Sequence, residues 1–301
     1  MKPKVTVGIC VRNCEEYVEE TIKSVLNQDF PFKLVEIIFV DDGSQDNTLA
    51  IIRKYASSMR VSSTVFHTSW RGIGHARNMV IDRAIGDYII WVDGDMTLSK
   101  DFMRKLVDYM DKHPRIAVAK GKQALEPGGN LLATLETYGR AASRMVDYES
   151  EKSYAKSLGT GGCIYRVEVL RRVGKFDENF RGYGEDFDLE LRIRGAGYSL
   201  STVNSKFRDY ERHGLSWKNL WSRYMLRGYY SHYFFHKNTG LIKHHRILPP
   251  AAFLSGLLDA YKLFKSTHEK IVFLLPFQYG FKTLAWYFGF VKSHLNFYQP
   301  R

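Results

Sequence analysis

The run Tyr88 to Val92 (YIIWV) is apolar throughout and leads straight into Asp93-Gly94-Asp95. A strand with one face in water alternates apolar and polar residues, so an unbroken apolar run bounded by polar residues reads as a strand buried on both faces. KVTVGICV and LVEIIFVDDGS read the same way, and SSTVFHT is a further strand. Helical patterns separate them. EEYVEETIKSVLNQ sets Tyr17, Val18, Ile22, Val25 and Leu26 on one stripe, and DNTLAIIRKYASSM opens on a capping Asp or Asn. GIGHARNMVIDRAIG reads as a helix closed by Gly86 as its C-cap. Strands alternating with helices over short loops indicate βαβ units, an α/β fold and a mostly parallel, Rossmann-like sheet.

Such sheets bind ligands beyond the carboxyl ends of their strands. The unusual polar clusters fall there: Arg12-Asn13, Asp41-Asp42 and Asp93-Gly94-Asp95. One acidic pair alone could be a turn or a helix cap. Two such pairs, on two strands of one sheet, converge on one crevice. Carboxylates at a strand tip repel unless a cation joins them, and a hard divalent ion held by one or two carboxylates plus substrate phosphates meets that need. Gly94 removes a side chain where a ligand would approach the backbone.

Charge divides the chain. The formal net charge is +12, and Leu215 to Arg301 carries twelve Lys/Arg against two Asp/Glu, together with 21 of the 43 aromatic residues. This shift sets a boundary between residues 1–214, the catalytic part, and residues 215–301, a helical, basic and aromatic region. Basic residues interleaved with aromatics suit nucleic acid, but no nucleic-acid module accompanies them. The same residues suit the headgroup level of an anionic membrane. Ile271 to Val291 is apolar but for Gln278 and Lys282 and is long enough to span a bilayer. Pro276 and Lys282 favour an in-plane or re-entrant hairpin instead. An amphipathic subdomain packed on the catalytic core is the alternative. Three cysteines, Cys10, Cys14 and Cys163, make no disulfide framework and read as buried thiols of a reducing compartment. The expected location is the cytoplasmic face of the cell membrane, peripheral or monotopic.

The ordered motifs VTVGICVRN, SVLNQ, EIIFVDDGSQDNT, GHARNMVIDRAIGDYIIWVDGD and GYGEDFDLELRIRGAGY, from about Lys4 to His213, resemble the family 2 glycosyltransferases of GT-A fold. The resemblance implies an inverting, metal-dependent enzyme that uses a nucleotide sugar. By similarity, backbone around Cys10 and Val11, with Asp42, holds the base, Asp93 contacts the ribose, Asn13 and Gly94 are further nucleotide-sugar-binding positions, and Arg77 sits near the donor. Asp95 ligates Mn2+ or Mg2+, with His213 as a further metal or diphosphate contact. The family's aromatic residue after the first strand is replaced by Arg12, so GDP-sugars stand beside UDP-sugars as donors. Glu185-Asp186 occupies the position of the family's acidic pair: Asp186 is the expected base and Glu185 orients the site. Read without the family, the same acids open a helix, where a helix dipole would favour them; the dipole lowers a carboxylate's pKa and burial raises it. A base is needed for a hydroxyl acceptor and not for a polyprenyl phosphate, which favours a glycan on a lipid carrier. Charging of the bare polyprenyl phosphate and nucleotidylyl transfer are the alternatives.

Overall fold

The computed structural model describes residues 2–124, 126–143, 157–180, 182–209, 215–238 and 249–296. They form two compact units. The first holds 2–124, 157–180 and 185–209, and the second holds 126–143, 182–184, 215–238 and 249–296.

The first unit is an eight-stranded sheet in the order β3-β2-β1-β4-β7-β6-β8-β5. Its strands are β1 (Val5–Val11), β2 (Val35–Asp42), β3 (Ser62–Thr68), β4 (Tyr88–Trp91), β5 (Met96–Leu98), β6 (Ile116–Gln123), β7 (Cys163–Arg166) and β8 (Ser199–Asp209). β1, β2 and β4 are buried at every position. The cause is a helix layer on each face. Val5, Val7 and Ile9 of β1 with Ile37 and Phe39 of β2 meet α1 (Val18–Leu26), α2 (Thr48–Ser58) and α4 (Phe102–Lys112). The alternate residues Cys10, Ile38 and Val40 meet α3 (Ile73–Arg83), α6 (Val167–Arg172) and α7 (Glu185–Gly195). β3, at the sheet edge, alternates exposed and half-buried residues.

The sheet is mixed rather than mostly parallel. β2-β1, β1-β4, β2-β3 and β6-β8 are parallel. The short β7 runs antiparallel to both its neighbours, β4 and β6, and β5 runs antiparallel to β8. Gly86 is not a C-cap. α3 ends at Ala84, whose backbone N–H donates to Val80 O. Gly86 instead lies against β1, where an added Cβ would stand 2.7 Å from Thr6 N.

The second unit is helical: α5 (Leu131–Ser143), α8 (Trp217–Lys237), α9 (Pro249–Thr267), a 3-10 turn at Lys270–Leu274, and α10 (Leu275–Leu295). Leu135, Tyr138, Ala260, Leu263, Val272 and Leu275 form its core. α8 and α10 run in the same direction: Trp217 and Trp221 meet Phe281, and further along Phe235 meets Trp286 and Phe290. Glycines let their backbones touch, since a Cβ at Gly228 would lie 1.9 Å from Trp286 O and one at Gly289 1.8 Å from Met225 O. The stretch Ile271 to Val291 is not one helix. Pro276 sits in the first turn of α10, where its missing N–H costs nothing. Among the described residues no helix is long and apolar enough to cross a membrane.

Candidate active site

The polar residues beyond the strand ends divide into those spent on backbone and those facing one another. Asp41 is fully buried and accepts from His67 Nδ1 at 2.7 Å and from the Ser44 hydroxyl. Asp42 takes the backbone N–H groups of Arg71 (2.8 Å) and Gly72 (2.9 Å), fixing the turn that opens α3. Gly43 has φ +76° and an added Cβ would meet Trp70 N at 2.7 Å, so only glycine fits there. Asn13, at φ 51°, accepts from Gln45 N at 2.8 Å and donates its own N–H to Ser44 Oγ at 3.0 Å. The Arg12 guanidinium lies 4.9 Å over the exposed Trp70 ring. An aromatic surface is therefore supplied by the loop after β3, which the sequence reading passed over.

Asp93-Gly94-Asp95 forms the turn between β4 and β5. Gly94 packs closely against β1 and the loop after it: an added Cβ would lie 2.7 Å from Val11 Cγ1 and 3.1 Å from Cys14 Sγ. Thr21 donates to Gly94 O at 3.0 Å and ties the turn to α1. Cys10 is buried among Arg77, Asp93 and Asp42, and burial pushes its thiol up to about 12, so it stays protonated at neutral pH. Asp95 is half-buried on the same turn.

Arg77 links this turn to the start of α7. It is 7% exposed, donates to Glu185 Oε1 at 2.9 Å, and holds Nη2 3.8 Å from Asp93 Oδ1. Asp186, next to Glu185, is half-buried, and its Oδ1 accepts from Phe187 N at 2.7 Å. Its Oδ2 lies 3.4 Å from where a Gly159 Cβ would be, and a Gly161 Cβ would fall 2.2 Å from Asp93 Oδ2. The glycine-rich loop before β7 therefore lies against both acids, and a side chain at Gly161 would collide with Asp93.

The acids here are poorly neutralised. Loss of solvent, then Asp186, raises Glu185 to about 7 against the opposing pull of Arg77. At Glu185, burial outweighs the helix terminus. Loss of solvent, then Asp186, raises Glu190 to about 8, although Leu158 N and Gly159 N donate to it at 3.0 and 3.1 Å. The Asp93 carboxyl is also pushed above the usual range, by loss of solvent and by Asp209 and Asp186, with Arg77 opposing. Asp209, paired in register with Met96 of β5, ends β8. The buried Lys120 of β6 donates to Leu158 O and Gly159 O at 2.5 and 3.3 Å. Lys120, Glu190 and Asp209 were not singled out from the sequence. Lys120 directly follows the apolar run IAVA, Ile116 to Ala119, with Lys122 two residues on.

The structure thus brings Cys10, Asp42, Arg77, Asp93, Glu185 and Asp186 into one electrostatic cluster. Val11 and Gly94 pack against each other, and Asn13, on the loop after β1, is bonded to Ser44 and Gln45 on the loop after β2. His213 lies outside the described residues. The Asp93 carboxylate is the kind of oxygen donor a hard divalent ion takes, and Asp209 and Asp186 add negative charge around it against Arg77 and Lys120.

Residues 6–174 match the family model described as Glycosyl transferase family 2. The putative glycosyltransferase EpsE of Bacillus subtilis is 31% identical over 199 residues, covering 60% of this chain and 69% of EpsE. The poly(ribitol-phosphate) β-N-acetylglucosaminyltransferase TarS of Staphylococcus aureus is 32% identical over 110 residues, which is 36% of this chain and 19% of TarS. A TarS structure in complex with UDP-GlcNAc aligns at TM-score 0.54 and 18% identity, covering 99% of this chain and 93% of that one. The mannosyltransferase PcManGT of Pyrobaculum calidifontis, solved with GDP-Man and Mn2+, aligns at TM-score 0.69 and 18% identity over 98% of this chain and 88% of that chain. The fold is GT-A, and the family match removes nucleotidylyl transfer as a reading. The chain belongs to glycosyl transferase family 2.

Proposed function

We propose that this glycosyltransferase moves a sugar from a UDP- or GDP-sugar to a hydroxyl of a glycan carried on a lipid, with inversion at the anomeric carbon. The observation that carries the reading is the single cluster in which Arg77 joins Asp93 of the strand-end turn to Glu185 at the start of α7. It couples the donor side of the site to the acid pair. Glu185 is buried and spent on Arg77, whereas Asp186 is only half-buried, which supports Asp186 as the base. It takes the acceptor's hydroxyl proton as that oxygen bonds to the anomeric carbon and the bond to the diphosphate breaks. Asp93 and Asp95 would hold the metal, with His213 a further candidate ligand. Mn2+ or Mg2+ bound there supplies positive charge to the departing diphosphate. Cys10, Val11, Asn13 and Asp42 border the pocket for the base, and Trp70 with Arg12 offers it a stacking face. Two relatives support the donor class, since TarS has been solved with UDP-GlcNAc and PcManGT with GDP-Man and Mn2+.

The lipid-linked acceptor rests on the second unit. Leu258, Phe277 and Leu295 are 65%, 65% and 69% exposed, and Leu254, Tyr261 and Phe288 are more than half exposed. Lys262 and Lys265 are close by in α9. Apolar side chains beside cations suit insertion at an anionic headgroup layer, and the cytoplasmic membrane face is the proposed location. The enzymatic test is a panel of UDP- and GDP-sugars incubated with Mn2+ and a membrane glycolipid fraction. Transfer with release of nucleoside diphosphate is expected, and release of pyrophosphate would contradict it. Transfer to bare polyprenyl phosphate at a rate insensitive to Asp186→Asn would favour carrier charging. Binding to the membrane is read by co-sedimentation with phosphatidylglycerol vesicles. Leu258→Glu/Phe277→Glu should weaken it, and unchanged pelleting would remove the membrane from the reading.

A further inference from the structure

Far from the acids in sequence, three histidines of the second unit converge. His232 and His236 lie one turn apart on α8, hence on one face, and His294 stands in the last turn of α10. His232 Nε2 is 3.2 Å from His236 Nε2 and 3.2 Å from His294 Nδ1. The three ligand atoms all lie within 4.8 Å of one another. His232 is buried, and His236 and His294 are open to solvent.

Hydrogen bonding does not account for this arrangement. A neutral imidazole nitrogen carries either one N–H or one lone pair, so His232 Nε2 can serve one of its two neighbours and not both. The other nitrogen of the same buried ring, Nδ1, has no hydrogen-bond partner among the described residues. The ring is thus buried with two other imidazoles as its polar partners. A cation between them resolves the conflict, because each nitrogen then gives its lone pair to the ion. The spacing agrees. Two nitrogens each about 2.0–2.1 Å from a tetrahedral ion stand about 3.3 Å apart. Phe290, 5.3 Å from the His232 ring, and Trp286 stacked on Phe290 give the site an apolar wall.

We propose that His232, His236 and His294 form a transition-metal site that clamps α8 to α10. Three imidazoles suit borderline ions such as Zn2+ over Mg2+ or Ca2+, and the exposure of two of them leaves a fourth position for solvent. The site is separate from the acids of the first unit in ligand chemistry: nitrogen here, oxygen there. Gly228 and Gly289 bring the two helix backbones together, and the ion would fasten their carboxyl-terminal ends.

The test uses the full chain without an affinity tag, stripped with EDTA and held in millimolar Mg2+ to occupy oxygen sites. Titration with Co2+ should give one saturable set of intense visible bands, the mark of a tetrahedral nitrogen-ligated ion, and Zn2+ should bleach them. Zn2+ should also raise Tm. His236→Gln and His294→Gln, both at exposed positions, should each weaken binding at least about tenfold and abolish the Tm gain. His113→Gln, at the residue that follows α4, should change neither. Circular dichroism establishes that the variants are folded. Absence of saturable binding, or binding unaltered by both variants, would overturn the proposal.

Discussion

Two buried ion pairs show how differently the two units treat charge. In the helical unit, Glu136 of α5 is 3% exposed and accepts from Lys282 of α10 at 2.7 Å. Burial works to raise its pKa, but Lys282, Arg140 and Arg227 outweigh it and the carboxyl stays below its usual range. In the sheet unit, Arg77 and Glu185 are as well aligned, at 2.9 Å, yet Glu185 rises to about 7 because burial and Asp186 outweigh Arg77. Asp93 and Glu190 are raised as well. One arrangement is complete and structural. The other has more acid than its cations neutralise, which is the signature of a site that awaits a ligand.

The largest expected effect tests the unneutralised side. Asp186→Asn should lower sugar transfer about 10²–10⁴-fold with donor affinity unchanged, the loss typical of a missing general base. Transfer near the wild-type rate would remove Asp186 from the chemistry. On the neutralised side, Lys282→Met strands Glu136 and should cost about 3–5 kcal/mol in urea unfolding, while Lys282→Met/Glu136→Gln should recover most of it. A single variant as stable as wild type would mean the pair is not buried as described.

The third prediction concerns pH. Glu190 holds its proton up to about 8 in the fold against 4.5 when unfolded. Its contribution is therefore full below pH 4.5 and lost as pH rises towards 8. Glu190→Gln should gain on wild type across that window by up to about 1.4 kcal/mol per pH unit. A pH-independent difference would show that Glu190 ionises normally. The smallest effects contrast two glycines of α10. Gly289→Ala pushes a Cβ into Met225 O and should cost about 1–3 kcal/mol, whereas Gly280→Ala meets nothing within 4 Å and should gain about 0.4–1 kcal/mol. Equal Tm values for the two would contradict the backbone contact between α8 and α10.

These features were not equally legible in the sequence. β1, β2 and β4 were, because burial on both faces writes a nearly continuous apolar run, interrupted within β1 and β2 by the hydrogen-bonded pair Thr6 and Glu36. The strand-end aspartates and Glu185-Asp186 stood out in the sequence because paired acids recur at the ends of buried strands and at a helix start, but their partners, such as Arg77 for Glu185, come from distant elements. The four residues of β7 give no hint that they run antiparallel, since direction is set by β4 and β6 on either side. Gly86 was misread because the neighbour that needs its missing side chain, Thr6, lies eighty residues earlier. Glu190 and Lys120 meet at the loop 158–159, a contact no periodicity encodes. His232 and His236 show helical spacing, but His294 joins them only through the pairing of α8 with α10.

Calorimetric titration of UDP and GDP, with and without Mn2+ or Mg2+, tests most directly whether the raised acids await a metal and a donor. At least one diphosphate should bind the wild type only with the ion present, and Asp95→Asn should abolish that dependence together with the binding. Tight binding without any divalent ion, or an Asp95→Asn variant with unchanged metal dependence, would contradict the account.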